Sequence, residues 1–410
     1  MAWNRGSWTG VAAGAVVVIA GMASPARAQW GMMGGQMGID ESITRKGFDA
    51  YVRILGLDDT QKDAARDLMD GNRSAFKTMR EDMQAKIRQI SEKARENQNW
   101  NLWQEEMPKI AKDYAAKKDT YEKQFFDDLK GLLTSDQVAK FNGVERHRRR
   151  EMQMRFGMAI GAATDLLEIA HTTKADAEKN PEIRQTLDQY EMDLDRLLQQ
   201  NERQGKEAQD KMLQGNMWDQ GKWDDITKPL SDTARQIREL NRQSSRRIAQ
   251  LLPEAMRAGF ENEVKRRDFP RVYKEAYIEK AMGEAAKLKD LDAAQKESLG
   301  LLKDQYTRDA VSANDKWAHA LEEREEKAGG RMKMIMRMWE FSNQDDEVSK
   351  AKKARTAIDE AAEKKLESIL KEDQRARLPQ KRPEKAGNGW DGMGLFADFG
   401  WDFSEPGAED

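Results

Sequence analysis

The chain contains no cysteine, only three histidines and only nine prolines among its 410 residues. Without cysteine there is no disulfide, thiolate ligand or thiol nucleophile, so packing, hydrogen bonds and charge must hold the fold. His147, His171 and His319 stand far apart with no second ligand at metal spacing, which argues against a zinc or histidine-based catalytic site. No glycine-rich phosphate loop and no serine nucleophile setting occurs, and nothing points to an enzyme or a bound cofactor. The apolar run from Val11 to Met22 is too short to span a bilayer. Hydrophobic residues make up only 38% of the chain and charged ones 35%, a balance that suits long solvated helices better than one large core. Four prolines lie near the ends (Pro25, Pro379, Pro383 and Pro406), and the other five (Pro108, Pro181, Pro229, Pro253 and Pro270) fall at expected helix ends, first turns or kinks. The expected class is all-α.

The first 28 residues have the form of a secretory signal. Arg5 supplies the positive start, Val11 to Met22 the apolar run, and Ala26-Arg27-Ala28 the small-x-small cleavage site. Cleavage between Ala28 and Gln29 would give an exported, periplasmic chain, and the loss of Arg5 and Arg27 moves the net charge from −3 to −5. Residues 29–42 form a flexible leader. Its three methionines, Met32, Met33 and Met37, could hold a soft metal, although a disordered start is the plainer reading.

The rest of the chain is organised around Leu132-Leu133-Thr134-Ser135-Asp136-Gln137. Thr-x-x-Gln is a capping box: the Thr134 hydroxyl accepts from the first turn of a new helix and Gln137 reaches back to the cap. Related boxes begin at Leu57-Asp58 with Gln61, at Leu291-Asp292 with Gln295, at Leu251-Leu252-Pro253, and at Ile369-Leu370 with Gln374. Between them run helical stripes at steps of three and four. The first pair of stripes is Ala65, Leu68, Phe76, Met79 and Met83 outward, then Ile110, Tyr114, Phe125 and Leu129 returning. Ile183, Leu187, Tyr190 and Leu194 are answered by Ile237, Leu240 and Ile248, and Leu302, Tyr306 and Trp317 by Ile358 and Leu366. The Leu-Leu positions Leu132, Leu251 and Ile369 recur at nearly constant spacing. The expectation is three antiparallel hairpins over 43–150, 156–273 and 275–382, each about 50–60 Å long, with a tail over 383–410. The second has lost both box glutamines.

Pairs of Leu-Thr-x-x-Gln boxes bracketing a long helical hairpin resemble the Spy/CpxP group of periplasmic proteins. The resemblance covers nearly all of the mature chain, as three tandem units instead of the family's usual one. It implies an elongated tandem array and an ATP-independent holdase that binds unfolded or stress-damaged envelope proteins on apolar and basic helical surfaces. Spy works as a dimeric cradle, so the resemblance implies either a homodimer or neighbouring repeats of one chain supplying the same partners. Two other classes stay open: an envelope-stress or metal-responsive accessory protein, as among CpxP and ZraP-like relatives, and a structural helical spacer.

Several segments are candidate contact sites. Basic clusters follow each second box. The first contains Arg148, Arg149 and Arg150, the second Arg266 and Arg267, and the third Arg375, Arg377 and Lys381. They read either as positive patches for acidic segments of a partner or as cations placed at helix C-termini. Met332, Met334, Met336 and Met338, interleaved with cations before Trp339, suit adaptable client contact, soft-metal binding or ordinary packing. Nucleic acid is a poor partner for a net-acidic exported chain. The tail sets Trp390, Phe396, Phe399, Trp401 and Phe403 among acids, a composition complementary to an apolar, basic surface, and it is expected to dock in cis, strap the last hairpin or stay disordered.

Overall fold

A computed structural model of the chain describes residues 43–99, 101–154, 157–177, 179–214, 220–336 and 346–381. The signal and leader, Met338, Trp339 and the tail beyond residue 381 lie outside the described residues, as do the side chains of Met332 and Met336. The described residues are helices and their connections with no strand, so the all-α class is correct. The chain divides into two compact units, and the division falls after Met152.

In the first unit, α1 (Arg45–Leu55) is capped by Thr44, whose hydroxyl accepts from Gly47 N–H at 2.9 Å. It stops at Gly56, whose φ of 65° is one that side-chain-bearing residues rarely adopt. Two residues later Asp58 caps α2 (Asp59–Glu96), and after a short turn α3 (Asn101–Gly131) returns. Contacts that step down in sequence separation prove the antiparallel pairing. Gln61 meets Leu132, Asn72 donates to the Tyr121 carbonyl at 3.1 Å, and Lys86 meets Asp113 at 3.0 Å. At 1.5 Å per residue, α2 with its 38 residues is about 57 Å long. Beyond Thr134 come the single turn α4 (Ser135–Val138) and then α5 (Phe141–Met154). Two apolar clusters fill this unit. One, at the base, joins Phe48, Tyr51 and Leu55 of α1 to Phe125, Leu129, Phe141 and Val144. The other, further along the pair, gathers Phe76, Met79, Met83, Ile110 and Tyr114.

The second unit contains two such pairs. The short α6 (Leu166–Thr172) precedes α7 (Pro181–Gln214), which begins with proline in its first turn, where the missing N–H costs nothing. Its partner α8 (Gln220–Leu251) is followed by α9 (Glu254–Asp268). Pro253 stands at the entry to α9, whereas Pro229 lies inside α8 and Pro108 inside α3, positions where kinks are among the expectations. The other pair is α11 (Ala293–Ala328) and α13 (Glu347–Ile369), flanked by α10 (Tyr277–Ala285), α12 (Arg331–Met336) and α14 (Glu372–Arg375). Between α7 and α8 the contact from Asn180 to Leu251 gives way to Tyr190 with Asn241 and then Gln200 with Thr233. Between α11 and α13 the order is Gln295 with Ile369, Tyr306 with Asp359, and Arg324 with Asp346. Each pair is antiparallel.

The buried faces follow the stripes. Ile183, Leu187, Tyr190 and Leu194 lie inside one core with Ile237 and Ile248, and Leu302, Tyr306 and Leu366 inside the next. The α11–α13 pair also buries a polar group that periodicity does not announce. Arg355 donates to Asn314 Oδ1 at 2.7 Å and to the Tyr306 hydroxyl at 2.8 Å, and it pairs with Asp359. Burial, with the hydroxyl's bond to Asp359 also contributing, pushes the Tyr306 hydroxyl pKa far up, so it stays a neutral donor. The spacing of the stripes makes a direct stability prediction. Leu194→Ala, at a fully buried site, should cost about 2–5 kcal/mol in denaturant unfolding, while Met192→Ala, at 64% exposure, should change stability by less than about 0.5 kcal/mol.

Candidate functional site

The box residues are the one sequence-predicted set that the fold brings together. Gln61 Oε1 accepts from its own cap, Asp58 N–H, at 3.1 Å, and the Asp58 carboxylate accepts from Gln61 N–H at 2.8 Å. The Gln137 carbonyl oxygen likewise takes Thr134 N–H at 3.0 Å. The two side-chain amides then meet face to face. Gln61 Nε2 donates to Gln137 Oε1 at 2.8 Å and Gln137 Nε2 returns a bond to Gln61 Oε1 at 2.9 Å. The second proton of each amide goes to a carbonyl at the opposite helix end, Leu132 O at 2.7 Å and Gly56 O at 3.2 Å. A glutamine amide has two donor hydrogens and one doubly accepting oxygen, so both are saturated.

Gln295 and Gln374 repeat this geometry in the second unit. Gln295 Nε2 donates to Gln374 Oε1 at 2.9 Å and to Ile369 O at 2.7 Å, while Gln374 Nε2 reaches Asp290 O at 3.2 Å. Asp292 N–H and Lys371 N–H are held by the two glutamine oxygens at 3.2 and 2.9 Å. Lys371 has no acceptor on its side chain, so only the glutamine half of that box exists. Both amides are buried, Gln374 at 1% exposure. Between α7 and α8 the clasp is replaced by weaker substitutes. Asn180 reaches Leu251 O at 3.4 Å, and Arg257 covers the Ala249 and Leu252 carbonyls at 2.8 and 3.3 Å. Helix ends leave carbonyls without intrahelical partners, and the clasp meets that need at two helix ends at once.

Several residues of the basic clusters are engaged with acids of their own units. Arg148 pairs with Glu122, which is 3% exposed, and lies 5.2 Å from the Phe126 ring centre. Lys118 approaches the same carboxylate at 3.8 Å. Arg150 is only 5% exposed and sits 3.4 Å from His147 Nδ1, and Arg149 is partly buried. The expectation of an open positive patch at Arg148 and Arg150 is therefore corrected, because Arg148 pairs with Glu122 of α3 and Arg150 is buried. Arg267 bridges Glu168 at 2.9 Å and Glu263 at 3.0 Å, and Arg266 lies 3.5 Å from Glu263. Arg377 holds Asp290 with both amino groups, one at 3.1 Å, and that hydrogen-bonded pairing depresses the Asp290 pKa below the usual carboxylate range. Met334 is fully buried beside Trp317 and Val348, so at that position the methionine packs, and the contact role expected of it is corrected.

Sequence reasoning missed a second polar centre in the second unit, around residues 157–165. Asn241 Nδ2 donates to Gly161 O at 2.7 Å and to Thr164 O at 2.9 Å, and the Tyr190 hydroxyl donates to Asn241 Oδ1 at 2.9 Å. Ile160 N–H donates to Glu325 at 2.7 Å, and Arg331 donates to Gly157 O at 2.7 Å. Burial lowers the Arg331 pKa to about 10, against the opposing pull of Glu325. The only sequence signal was the placement of Asn and Tyr on otherwise apolar helix faces. Among the described residues no group of three or more histidines and carboxylates is placed to hold a metal ion, and a groove of about 280 Å³ is lined by Arg246, Ala249, Gln250, Arg257 and Glu261.

These features define an all-α protein of antiparallel helix pairs with amide-clasped bases. None of the family models, curated proteins or solved structures compared with the chain gives a match.

Two substitutions probe the site. Gln295→Ala would strip the Ile369 carbonyl and Gln374 of their partners and should cost about 2–4 kcal/mol in chemical unfolding, since unsatisfied buried groups cost about 1–3 kcal/mol each. Arg148→Glu would set a second carboxylate against buried Glu122 and should lose at least about 3 kcal/mol. A melting temperature unchanged by Arg148→Glu would restore Arg148 to the list of surface contacts.

Proposed function

We propose that the protein is an ATP-independent holdase of the Spy/CpxP type, acting in the periplasm after loss of residues 1–28 and binding unfolded or partly folded envelope proteins. The observation that supports this reading is the meeting of the box glutamines: Gln61 with Gln137 and Gln295 with Gln374. The motif that carries the resemblance thus has one structural role wherever both glutamines are present, closing the base of a long helix pair. A tandem of such pairs would offer long charged sides with isolated apolar residues. Val138, Met192, Leu301 and Val311 are at least 47% exposed and stand among charged neighbours. Scattered apolar contacts of this kind bind weakly and release quickly, without a nucleotide.

Because Arg148, Arg150, Arg267 and Arg377 are paired or buried, capture in this reading rests on apolar contact more than on electrostatic steering. The same pairing favours a second reading, a structural helical spacer whose apolar stripes are spent inside its own pairs. Light scattering separates the two. With a reduced, aggregating client and no ATP, an equimolar amount of the holdase should delay aggregation severalfold. An aggregation curve superimposable on that of client alone would sink the holdase reading and leave the spacer.

A further inference from the structure

Within the second unit, the α7–α8 pair and the α11–α13 pair meet across residues 157–165, a segment whose backbone is held by side chains from other elements. Asn241 on α8 takes two of its carbonyls, Arg331 on α12 takes a third, and Glu325 on α11 takes the Ile160 amide. Asp268, the last residue of α9, accepts from the Thr164 hydroxyl, and Thr164 is 1% exposed. The apolar part of the junction is small: Ile160, Phe269 and Val272 against Trp317, Leu321 and Met334. Charge supplies much of the remainder. Arg238 meets Glu325 at 3.1 Å and Glu326 at 3.8 Å, Arg242 pairs with Glu322, and Lys265 and the Tyr273 hydroxyl both reach Asp315, at 3.2 and 2.7 Å.

Asp268 is poorly placed for a charge. It ends a helix, where the dipole disfavours an anion. As a residue it keeps some exposure, yet its carboxyl is crowded by protein, facing Thr164 on the segment, Arg242 on α8, Glu322 on α11 and Tyr273 beyond α9. Arg238, whose Cγ lies against Gly161, and Glu325 complete the surrounding charges, with Arg331 and Glu326 further out and the Arg267–Glu168 pair beside it. We propose that residues 157–165 are an acid-tightened latch between the two helix pairs of the second unit, set by the hydrogen bond from Thr164 to Asp268 and the seating of Glu325 under Ile160.

The sign follows from linkage. Burial raises the Asp268 pKa to about 6, and burial raises that of Glu325 as well. A carboxyl whose pKa is higher with the latch closed than open binds its proton more tightly when closed. Protonation therefore favours closure as the pH falls through about 6, and the advantage is gone above it. The neutral acid still accepts from Thr164 through its carbonyl oxygen, so the bond survives while the repulsion with Glu322 disappears.

Hydrogen exchange on the full chain reads the latch directly, after correction for the intrinsic pH dependence of amide exchange. The opening constant of the Ile160–Thr164 amides should be roughly tenfold smaller at pH 5.0 than at pH 7.5 for a single proton with this shift. Asp268→Asn keeps the acceptor and removes the charge, so its opening constant should be low and should keep only the pH dependence that Glu325 contributes. Glu322→Gln removes the facing like charge and should move the wild-type midpoint downward while keeping the slope. A wild-type opening constant that is independent of pH would overturn the latch, as would a slope undiminished in Asp268→Asn. Should the asparagine variant fail to fold, a midpoint unmoved in Glu322→Gln would overturn it equally.

Discussion

Every helix end leaves carbonyls that the helix itself cannot satisfy, and that constraint organises this protein. Where α2 meets α3 and where α11 meets α13, two glutamines solve it jointly. Each closes its own capping box, binds the other and supplies a donor to the opposite helix end. The arrangement couples local helix starts to a long-range contact, so helix boundaries and pairing register are set by the same atoms. The α7–α8 base lacks it and uses Asn180 and Arg257, which satisfy carbonyls without linking two boxes.

Several cations of the basic clusters are spent on acids of their own units. Glu122 with Arg148, Asp290 with Arg377 and Glu168 with Arg267 each join an element after a second box to an element of the same unit. A chain with little apolar material compensates by ringing thin cores with ion pairs, individually weak when exposed but firm where Glu122 or Arg355 is buried. This distribution bears on function. In the proposed holdase reading, the binding surface of such a molecule is mild and broad.

The junction around residues 157–165 differs in kind from the helix-pair interiors. Inside the pairs, leucines, isoleucines and tyrosines line the buried stripes. At the junction apolar residues are interspersed with arginines and carboxylates, and the segment's carbonyls depend on single side chains. Stability is therefore graded within one unit, with firm pairs and a conditional joint.

Legibility in the sequence followed distance. The all-α class, the stripes and the helix starts at Asp58, Thr134 and Asp292 were readable because they rest on interactions three or four residues apart. The short helices α1 and α10 escaped because their patterns span too few turns to show a period. Tertiary structure alone decided that Gln61 finds Gln137, 76 residues away, that Glu325 takes an amide 165 residues distant, and that Arg331 crosses 174 residues to Gly157. It also turned Arg150 and Met334 from candidate surface contacts into interior ones and paired Arg148 with Glu122. The physical reason is that a side chain's type declares what it can bond, while only the folded chain determines which complementary group stands within 3 Å of it.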